Sequence, residues 1–426
     1  MFNRIVVVLF VGFVFIEPAN AYIDPGTGSM LFSALLCSIT TLFFLFNSIV
    51  IFCKRKIFSS KSLGANKDNF VIYSEGNQYY SLFKPILDEF EARKIPVMYY
   101  TSAKDDYLFD DNYNFVKVQY IGKGNKAYFK LAFLNADVCL MTVPQLDVLQ
   151  LKRSKHVKHY SHIFHSIGFS MCYRLFSVDY YDSVLCDAEY QIPMIRQIEK
   201  RRNLPPKELV AVGCPYMDFN KNRINEFKKN DNIYTVLIAP SWGQYSLLNR
   251  FGSQILEQLK DTGYRIIVRP HPQSRVVDEK LLASLKEKYK NFENILWDFS
   301  NDNLKAMAEA DILISDFSGI LTDYAFLFKR PLLYIDTDIN YDIYDCCDMD
   351  DPQPWRNKVM NVIGRKLNID NGDLMNLKEI INEVNQNKDL KANIEKYCNE
   401  AWAFQGSAAK NVVDFLVNKQ KEVADK

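Results

Sequence analysis

The chain has 426 residues, enough for two domains and an additional segment, and 48% of them are hydrophobic. Its 52 Lys and Arg nearly balance its 51 Asp and Glu, and a formal net charge of +1 argues against a nucleic-acid-binding protein. The nine cysteines include no Cys-x-x-Cys pair, so neither a zinc site nor a disulfide framework is expected, and a reducing compartment fits best.

The first 60 residues differ in composition from the rest of the chain. Arg4 precedes an apolar run, Ile5–Ile16, which is too short to cross a bilayer but suits the core of a signal peptide. An Ala-x-Ala pattern, typical of a cleavage site, ends at Ala21. We therefore expect residues 1–21 to form a signal-peptide-like or first hydrophobic segment.

A second apolar run, Met30–Cys53, carries no charged residue. As a helix it would extend about 36 Å at ~1.5 Å per residue, which predicts a transmembrane helix over 30–53; a buried core helix is the alternative. The basic residues Lys54-Arg55-Lys56 follow it and predict that the downstream chain lies in the cytoplasm. We therefore expect a protein of the inner (cytoplasmic) membrane, single- or double-pass, with a polar linker at 54–69.

From Phe70 onward, strand-like runs alternate with helical patterns. Strands are predicted at Phe70–Tyr73, Pro96–Thr101, Phe115–Ile121, Val138–Val143, His159–Phe164, Ser183–Cys186 and Val210–Gly213, with helices at about Gln78–Arg93 and Lys126–Asn135. Strands spaced by helices predict a parallel sheet covered on both faces. The polar, charged stretch 221–232 marks a boundary between domains.

The alternation then restarts. Strands are predicted at Tyr234–Ala239, Tyr264–Val268, Ile312–Ile314 and Leu332–Ile335, with helices at Leu248–Lys260, Asp278–Lys288, Leu374–Asn385 and Leu390–Asn418 and a loop at Asp350–Asn357. The predicted fold class is α/β: two Rossmann-like domains, 70–228 and 229–402, facing each other across a cleft in the GT-B manner, followed by a C-terminal helix at 403–426. Ligands of such domains bind at the carboxyl ends of the strands.

The stretch from Ala310 to Asp338 has the pattern of a βαβ unit whose first turn is small and polar. The predicted strand at Ile312–Ile314 is followed by Ser315-Asp316-Phe317-Ser318-Gly319 and then by apolar residues at helical spacing. Free N–H groups and the helix dipole make such a turn suited to an anion. A well-capped turn without a ligand is the alternative.

The five histidines lie in two places. Four are spaced three apart at His156, His159, His162 and His165, but residues three apart on a strand face opposite sides, so no shared metal ion is expected. The fifth is His271, where Arg269-Pro270-His271-Pro272 ends a predicted strand with a cation and an imidazole on a loop stiffened by proline. A structural turn with a solvated histidine is the alternative.

Four stretches together resemble the CDP-glycerol glycerophosphotransferase family, whose members build teichoic-acid-type polymers. They are Tyr73-Ser74-Glu75-Gly76 with Tyr79, His165 before Gly168, Arg269-Pro270-His271-Pro272, and Ser315-Asp316-Phe317-Ser318-Gly319 with Asp323-Tyr324. The resemblance covers roughly residues 70–335. Two places depart from the family: Gly213-Cys214-Pro215-Tyr216-Met217-Asp218 lacks the usual Arg, and Ser166-Ile167-Gly168-Phe169-Ser170 replaces the usual residues after the histidine. The first half contacts the acceptor in this family, so the acceptor and the donor polyol are left open.

The resemblance implies a donor such as CDP-glycerol, whose glycerol-bearing phosphorus is attacked by an acceptor hydroxyl while CMP leaves. His165 would be the general base, and His271 and Arg269 would donate to the phosphates. The diphosphate would lie on the turn formed by Ser315, Asp316, Ser318 and Gly319.

Asp323 would accept from a glycerol hydroxyl, or be an exposed helix carboxylate. Glu75, Gly76 and Tyr79 would lie on the side of the acceptor, a lipid-linked or polymeric glycan at the inner membrane. Neither a cofactor nor a metal is implied.

Two other functions compete with this one. A GT-B glycosyltransferase that uses a nucleotide sugar for surface polysaccharide synthesis would have the same fold, since fold does not fix function. An inert membrane scaffold is the other alternative, against which the two histidines at strand ends argue.

Overall fold

The structure, a computed structural model, describes residues 37–46, 48, 63–168, 171–227, 229, 231–300, 302–336, 340–352 and 354–425. The chain divides into two compact units, residues 1–61 and 62–426. In the first unit the described residues 37–46 and 48 are helical. Element numbering below refers to the second unit.

The structure contradicts the predicted transmembrane helix over Met30–Cys53. Within the described part of the chain, no helix combines the length and the apolar character needed to cross a membrane. The ten helical residues at 37–46 extend about 15 Å, half of the ~30 Å hydrocarbon core. The predicted segment at 1–21, the linker as far as residue 62 and the basic flank at 54–56 lie outside the described residues.

The first half of the second unit is built on parallel strands. They are β1 (Leu63–Ser74), β2 (Val97–Thr101), β3 (Val116–Tyr120), β4 (Leu134–Met141), β5 (His156–Ile163), β6 (Ser183–Cys186) and β7 (Glu208–Ala211). Among the described residues they form a seven-stranded sheet in the order β3-β2-β1-β4-β5-β6-β7. The order reverses between β1 and β4, which opens a crevice at the carboxyl ends of these two strands.

Helices cover both faces of this sheet. They are α1 (Tyr80–Ala92), α2 (Asn125–Leu131), α3 (Gln191–Arg201) and α4 (Pro215–Arg223). α1 forms because its apolar residues recur at helical spacing, and it buries Leu82, Phe83, Ile86, Leu87 and Phe90 against the sheet.

The second half repeats this plan with shorter strands. They are β8 (Thr235–Ile238), β9 (Arg265–Val268), β10 (Ile295–Trp297), β11 (Ile312–Ser315), β12 (Leu332–Tyr334) and β13 (Arg365–Lys366). In the described part they pair in parallel as β10-β9-β8-β11-β12-β13. The order reverses between β8 and β11, so a second crevice opens beside the small polar turn that follows β11.

The remaining helices surround the second sheet or return to the first. They are α5 (Leu247–Leu259), α6 (Ser274–Val277), α7 (Glu279–Lys288), α8 (Leu304–Glu309), α9 (Ile320–Phe328), α10 (Pro354–Ile363), α11 (Leu377–Gln386), α12 (Asp389–Ala401) and α13 (Ala408–Ala424). The single helix predicted at Leu390–Asn418 is wrong, because Gly406 has a φ of +80° and separates α12 from α13. The loop predicted at Asp350–Asn357 is wrong from residue 354 onward, where α10 begins.

Two segments join the halves into one compact unit. After β12 the chain returns to the first half, where the carboxylate of Asp345 accepts from the backbone N–H groups of Phe176 and Ser177 and pairs with Arg202 at 2.7 Å. α13 packs against the first sheet through Val412, Val413 and Leu416. The α/β fold with two parallel sheets is confirmed, whereas the predicted limits of the individual domains stay predictions.

Candidate active site

A cleft of about 930 Å³ lies between the two halves, at the carboxyl ends of strands from both sheets. Of the residues that the sequence singled out, it is lined by Tyr79, His165, Arg269, His271, Ser318, Gly319 and Asp323. These predicted residues lie on, or one helical turn after, the separate turns that follow β1, β5, β9 and β11. Parallel strands place these turns at one edge of each sheet, which explains why distant residues meet.

His165 follows β5 and is held by two hydroxyl groups. The Tyr173 hydroxyl lies 2.8 Å from its Nδ1 and the Thr142 hydroxyl 3.3 Å from the same atom. The ring of Tyr79 meets it edge to face at 5.2 Å. Burial lowers the pKa of His165 from 6.5 to about 4, so the imidazole is neutral near pH 7. With the proton on Nδ1, the ring presents the lone pair of Nε2 to the cleft, as a general base requires.

In His271 the two ring nitrogens have the opposite roles. Its Nδ1 accepts from the backbone N–H of Gln273 at 3.1 Å, so the proton of the neutral ring is on Nε2. Burial lowers its pKa as well. His271 thus lines the cleft with a donor at Nε2, and its contact to a phosphate stays a prediction.

Arg269 lines the cleft but is already partnered. Its Nη1 donates to Asp298 and to the hydroxyl of Ser300 at 2.9 Å, and its Nη2 donates to the Ser300 carbonyl at 2.9 Å. Burial would raise the pKa of Asp298, but hydrogen bonds from Ser300 and the charge of Arg269 lower it below its ordinary value. The Asp298 carboxylate is therefore an ion, and it fixes the guanidinium in place.

Ser315 and Asp316 lie beneath the polar turn and do not line the cleft. The Ser315 hydroxyl donates to the carbonyl of Ala239 at 2.6 Å. The Asp316 carboxylate accepts from the backbone N–H groups of Ser241 at 2.9 Å and Leu247 at 2.8 Å. The pKa of this carboxyl is raised by burial. These two side chains hold the turn against the loop after β8, so only the outer part of the predicted phosphate turn faces the cleft.

That outer part is Ser318 and Gly319 at the N-terminus of α9. Gly319 has an ordinary helical backbone, with φ −61°. A Cβ added there would lie 3.8 Å from the Ser166 hydroxyl, which shows how closely the turn after β5 approaches this helix. The approach is fixed by Thr322, whose hydroxyl donates to the Ile167 carbonyl at 2.9 Å. The N-terminus of α9 therefore lies at the cleft beside the turn that carries His165.

Asp323 is a buried carboxylate on the first turn of α9, which excludes the alternative of an exposed helix carboxylate. One of its oxygens accepts from the Tyr216 hydroxyl at 3.0 Å, and the other has no hydrogen-bond partner among the described residues. Burial raises its pKa from 3.8 to about 7. A buried oxygen without a partner costs free energy, so this oxygen is suited to a hydroxyl of a bound ligand.

The turn after β1 carries the three residues that were predicted on the acceptor side. Gly76 has a φ of +153°, which L-residues with a Cβ rarely adopt, and it turns the chain toward α1. Glu75 points elsewhere and accepts from the Tyr128 hydroxyl at 2.9 Å. Tyr79 alone of the three predicted acceptor-side residues reaches the cleft, and burial raises the pKa of its phenol to about 12.

Several cleft residues were not predicted from the sequence. They include Asn77, Tyr80, Tyr107, Ser166, Phe219, Asn220 and Asn303. Tyr216 stands where the resembled family has Arg, a departure visible in the sequence. The others lie on turns or on helix faces whose orientation no local pattern reveals. In the described part of the chain no three His, Cys, Asp or Glu side chains are placed to hold a metal ion.

Comparisons with known proteins agree on the family. The model of the family described as CDP-glycerol:poly(glycerophosphate) glycerophosphotransferase matches residues 65–346, about two thirds of the chain. A teichoic acid poly(glycerol phosphate) polymerase from Bacillus spizizenii is 34% identical over 154 residues, which are 32% of this chain and 36% of that protein. The chain thus spans about a third of the length of the curated relative it matches.

The fold resembles that of solved structures. A structure of the wall teichoic acid polymerase TagF has a TM-score of 0.56 at 16% identity, covering 90% of this chain and 97% of that one. A UDP-GlcNAc 2-epimerase from Methanocaldococcus jannaschii, in complex with UDP-GlcNAc and UDP, has a TM-score of 0.53 at 13% identity, covering 83% of this chain and all of that one. At these identities the likeness shows the fold alone.

Proposed function

Because the chain belongs to the CDP-glycerol:poly(glycerophosphate) glycerophosphotransferase family, a family of enzymes, we propose that it transfers glycerol phosphate from CDP-glycerol to a hydroxyl of a cell-surface glycan or polymer precursor. The observation that carries this proposal is the meeting of His165, His271 and the N-terminus of α9 in one cleft. A proton acceptor, a hydrogen-bond donor and a set of free N–H groups are the parts that transfer of a phosphoryl group needs.

The proposed reaction is an in-line displacement. The acceptor oxygen attacks the phosphorus that carries glycerol, the new P–O bond forms, and the bond from that phosphorus to the bridging oxygen breaks. CMP leaves with the electron pair, and the proton of the acceptor hydroxyl passes to Nε2 of His165. Such a transfer depends on positioning and on stabilised charge more than on covalent catalysis.

Each side of the cleft has a role in this reaction. His271 would donate from Nε2 to a phosphate oxygen, while the N-terminus of α9 at Ser318 and Gly319 would hold the diphosphate. The partnerless oxygen of Asp323 would accept from a glycerol hydroxyl, which supports a polyol donor over a plain nucleotide. Trp242, with 45% of its surface exposed and its ring 6.4 Å from that of His271, would cover the cytosine.

The cellular location is a separate proposal. We place the catalytic part in the cytoplasm, where nucleotide-activated donors are made, next to the inner membrane that carries its acceptor. A reporter enzyme fused after Lys426 that is active only in the cytoplasm would support this location, and activity in the periplasm would contradict it.

A donor screen on the purified full-length protein tests the function itself. The proposal expects CMP release from CDP-glycerol that depends on an acceptor. Turnover of a UDP- or GDP-sugar with CDP-glycerol ignored would favour the glycosyltransferase alternative. Turnover of no donor would favour the inert scaffold.

A further inference from the structure

The part of the cleft that belongs to the first half has an aromatic wall. The ring of Tyr80 lies 5.6 Å from that of Tyr107 at an interplanar angle of 77° and 5.9 Å from that of Phe219 at 84°. All three rings line the cleft, and 45% of the surface of Tyr107 is exposed. Tyr79, next to Tyr80 in the chain, extends the aromatic wall as far as His165, whose ring it contacts.

The exposed ring of Tyr107 is held in place rather than left on a free loop. Its backbone N–H donates to the side-chain oxygen of Asn77 at 2.9 Å, and the Asn77 amide donates to the Asp105 carbonyl at 2.8 Å. Asp106 accepts from the backbone N–H of Leu108 at 3.1 Å and caps the short turn that carries the ring. These bonds tie the aromatic turn to the residues that follow β1.

Beside the wall lies a buried amide that lacks a partner. Asn220 is 2% exposed and lines the cleft next to Phe219. Its amide nitrogen has no hydrogen-bond acceptor among the described residues. A buried donor of this kind costs free energy unless a ligand oxygen satisfies it.

The same wall is poor in positive charge. Among the cleft residues that the first half contributes in the described structure, Arg223 is the only cation, because His165 is neutral. The guanidinium of Arg223 pairs with Asp302 at 2.8 Å and with Glu226 at 3.3 Å. The stretch 104–111 around Tyr107 has the sequence KDDYLFDD, with four Asp and one Lys. Of this stretch Tyr107 alone lines the cleft, but the net negative charge of its neighbours in the chain disfavours a chain of phosphates beside it.

We infer that the acceptor unit bound at this wall is an uncharged sugar ring rather than the end of a poly(glycerol phosphate) chain. One face of a sugar ring carries C–H groups that pack on the rings of Tyr80 and Tyr107, and its hydroxyls supply the oxygen that the amide of Asn220 lacks. The inference rests on the proposed function, because the hydroxyl that reacts belongs to this ring.

The test follows transfer of radiolabelled glycerol phosphate by the full-length protein. The neutral probes are octyl glycosides of uncharged hexoses and N-acetylhexosamines, and the charged probe is an oligomer of glycerol phosphate. We expect transfer to a neutral glycoside with a KM that salt does not change, since no charge pairs with the acceptor. Calorimetry with CDP-glycerol alone tests the proposed function separately from the acceptor. If CDP-glycerol does not bind, both the proposed function and the inference about the acceptor are overturned.

Variants of the aromatic turn locate the acceptor. Tyr107→Ala is expected to raise the acceptor KM about 10-fold, while Tyr107→Phe, which keeps the ring, stays near the parent value. Phe109→Ala is the matched control, because Phe109 is 42% exposed on the same turn but does not line the cleft. If the protein binds CDP-glycerol but transfers only to the glycerol phosphate oligomer, the inference is overturned while the proposed function stands. Equal acceptor KM values for Tyr107→Ala and Phe109→Ala would have the same consequence.

Discussion

The hydroxyl of Tyr173 lies 2.8 Å from Nδ1 of His165, which places a phenol behind the proposed general base. Burial raises the pKa of Tyr173 well above its ordinary value, so the phenol stays neutral at physiological pH. It can therefore accept from Nδ1–H while Nε2 faces the cleft. Tyr173 orients the imidazole and does not line the cleft itself.

Removing this hydroxyl should weaken catalysis without abolishing it. Tyr173→Phe deletes one hydrogen bond, about 0.5–1.5 kcal/mol, and we expect kcat to fall up to about 10-fold with little change in the KM for CDP-glycerol. The acid limb of the pH–rate profile should shift at the same time, which loss of packing alone would not cause. Tyr128→Phe removes a phenol outside the cleft and is the control. A Tyr173→Phe enzyme with the parent kcat and profile would show that Thr142 suffices.

The pH dependence of kcat/KM should reflect the lowered pKa of His165. A base acts in its deprotonated form, so activity rises with pH through the pKa of the free enzyme. With that pKa at about 4, activity should persist at pH 5.5, where a histidine with the ordinary value of 6.5 would be mostly protonated. A limb with a midpoint near 6.5 would mean that the residue is more solvated than its burial indicates.

Substitutions at Gly319 and Ser318 test whether donor binding depends on open space at the phosphate turn or on a side-chain hydrogen bond. Gly319→Ala should fold, because its Cβ would be in ordinary contact with Ser166. Gly319→Val adds two methyl groups in the narrow space between the turns and should weaken donor binding far more than Ser318→Ala, which costs about 0.5–1.5 kcal/mol. Calorimetry with CDP-glycerol measures the donor affinity of each variant and so shows which substitution weakens binding more. If the Val variant is folded and binds like the parent, the diphosphate lies elsewhere.

Trp242 tests where the base of the donor lies. Stacking of a base on an aromatic ring contributes about 1–3 kcal/mol, so Trp242→Ala should raise the Kd for CDP-glycerol and for CMP by roughly 5- to 150-fold. Tyr245→Ala, at a similar exposure in the same loop, serves as the control. If both variants bind CMP equally well, the cytosine does not lie on Trp242.

His162 should make the protein sensitive to acid. It is fully buried, both ring nitrogens lack partners among the described residues, and burial lowers its pKa from 6.5 to about 3. The unfolded chain binds this proton below pH 6.5 and the folded chain does not, so stability falls as pH falls from about 6.5 toward 3.

The expected contribution is about 1.4 kcal/mol per pH unit in that window. His162→Leu should remove this part of the pH dependence, as measured by urea unfolding at pH 7, 6 and 5. His156→Leu, on the same strand but exposed, is the control for loss of a histidine. Identical pH dependence in parent and His162→Leu would show that His162 is protonated in the folded state.

The sequence predicted the cleft better than it predicted the contacts within it. Strand ends and polar turns are local signals, which is why His165, His271 and Gly319 could be placed at the edges of the sheets. Ser315 and Asp316 share the same turn, but their direction depends on the loop after β8, which they bind. Tyr107 and Asn220 gave no local signal at all, because their position follows from how the turn after β2 and helix α4 pack against α1.

The errors at the level of secondary structure have local causes. Gly406 in the left-handed region ended a helix that the apolar spacing of Leu390–Asn418 had continued. Proline at residue 354 begins α10, a position that its fixed φ favours, whereas a Pro-rich loop was expected there. The transmembrane helix predicted at 30–53 rested on uncharged composition, whereas the described residues contain no helix long and apolar enough to cross a membrane.

The central claim is that two histidines from opposite halves act on one CDP-activated donor. The most direct measurement is acceptor-dependent CMP release from CDP-glycerol by the full-length protein and by His165→Ala and His271→Ala, each shown to be folded by circular dichroism. We expect the parent to release CMP and the rate of CMP release to fall by at least ~10²-fold in each variant. CMP release that is unchanged in either variant would contradict the role of that histidine, and a parent that releases no CMP from CDP-glycerol would contradict the account as a whole.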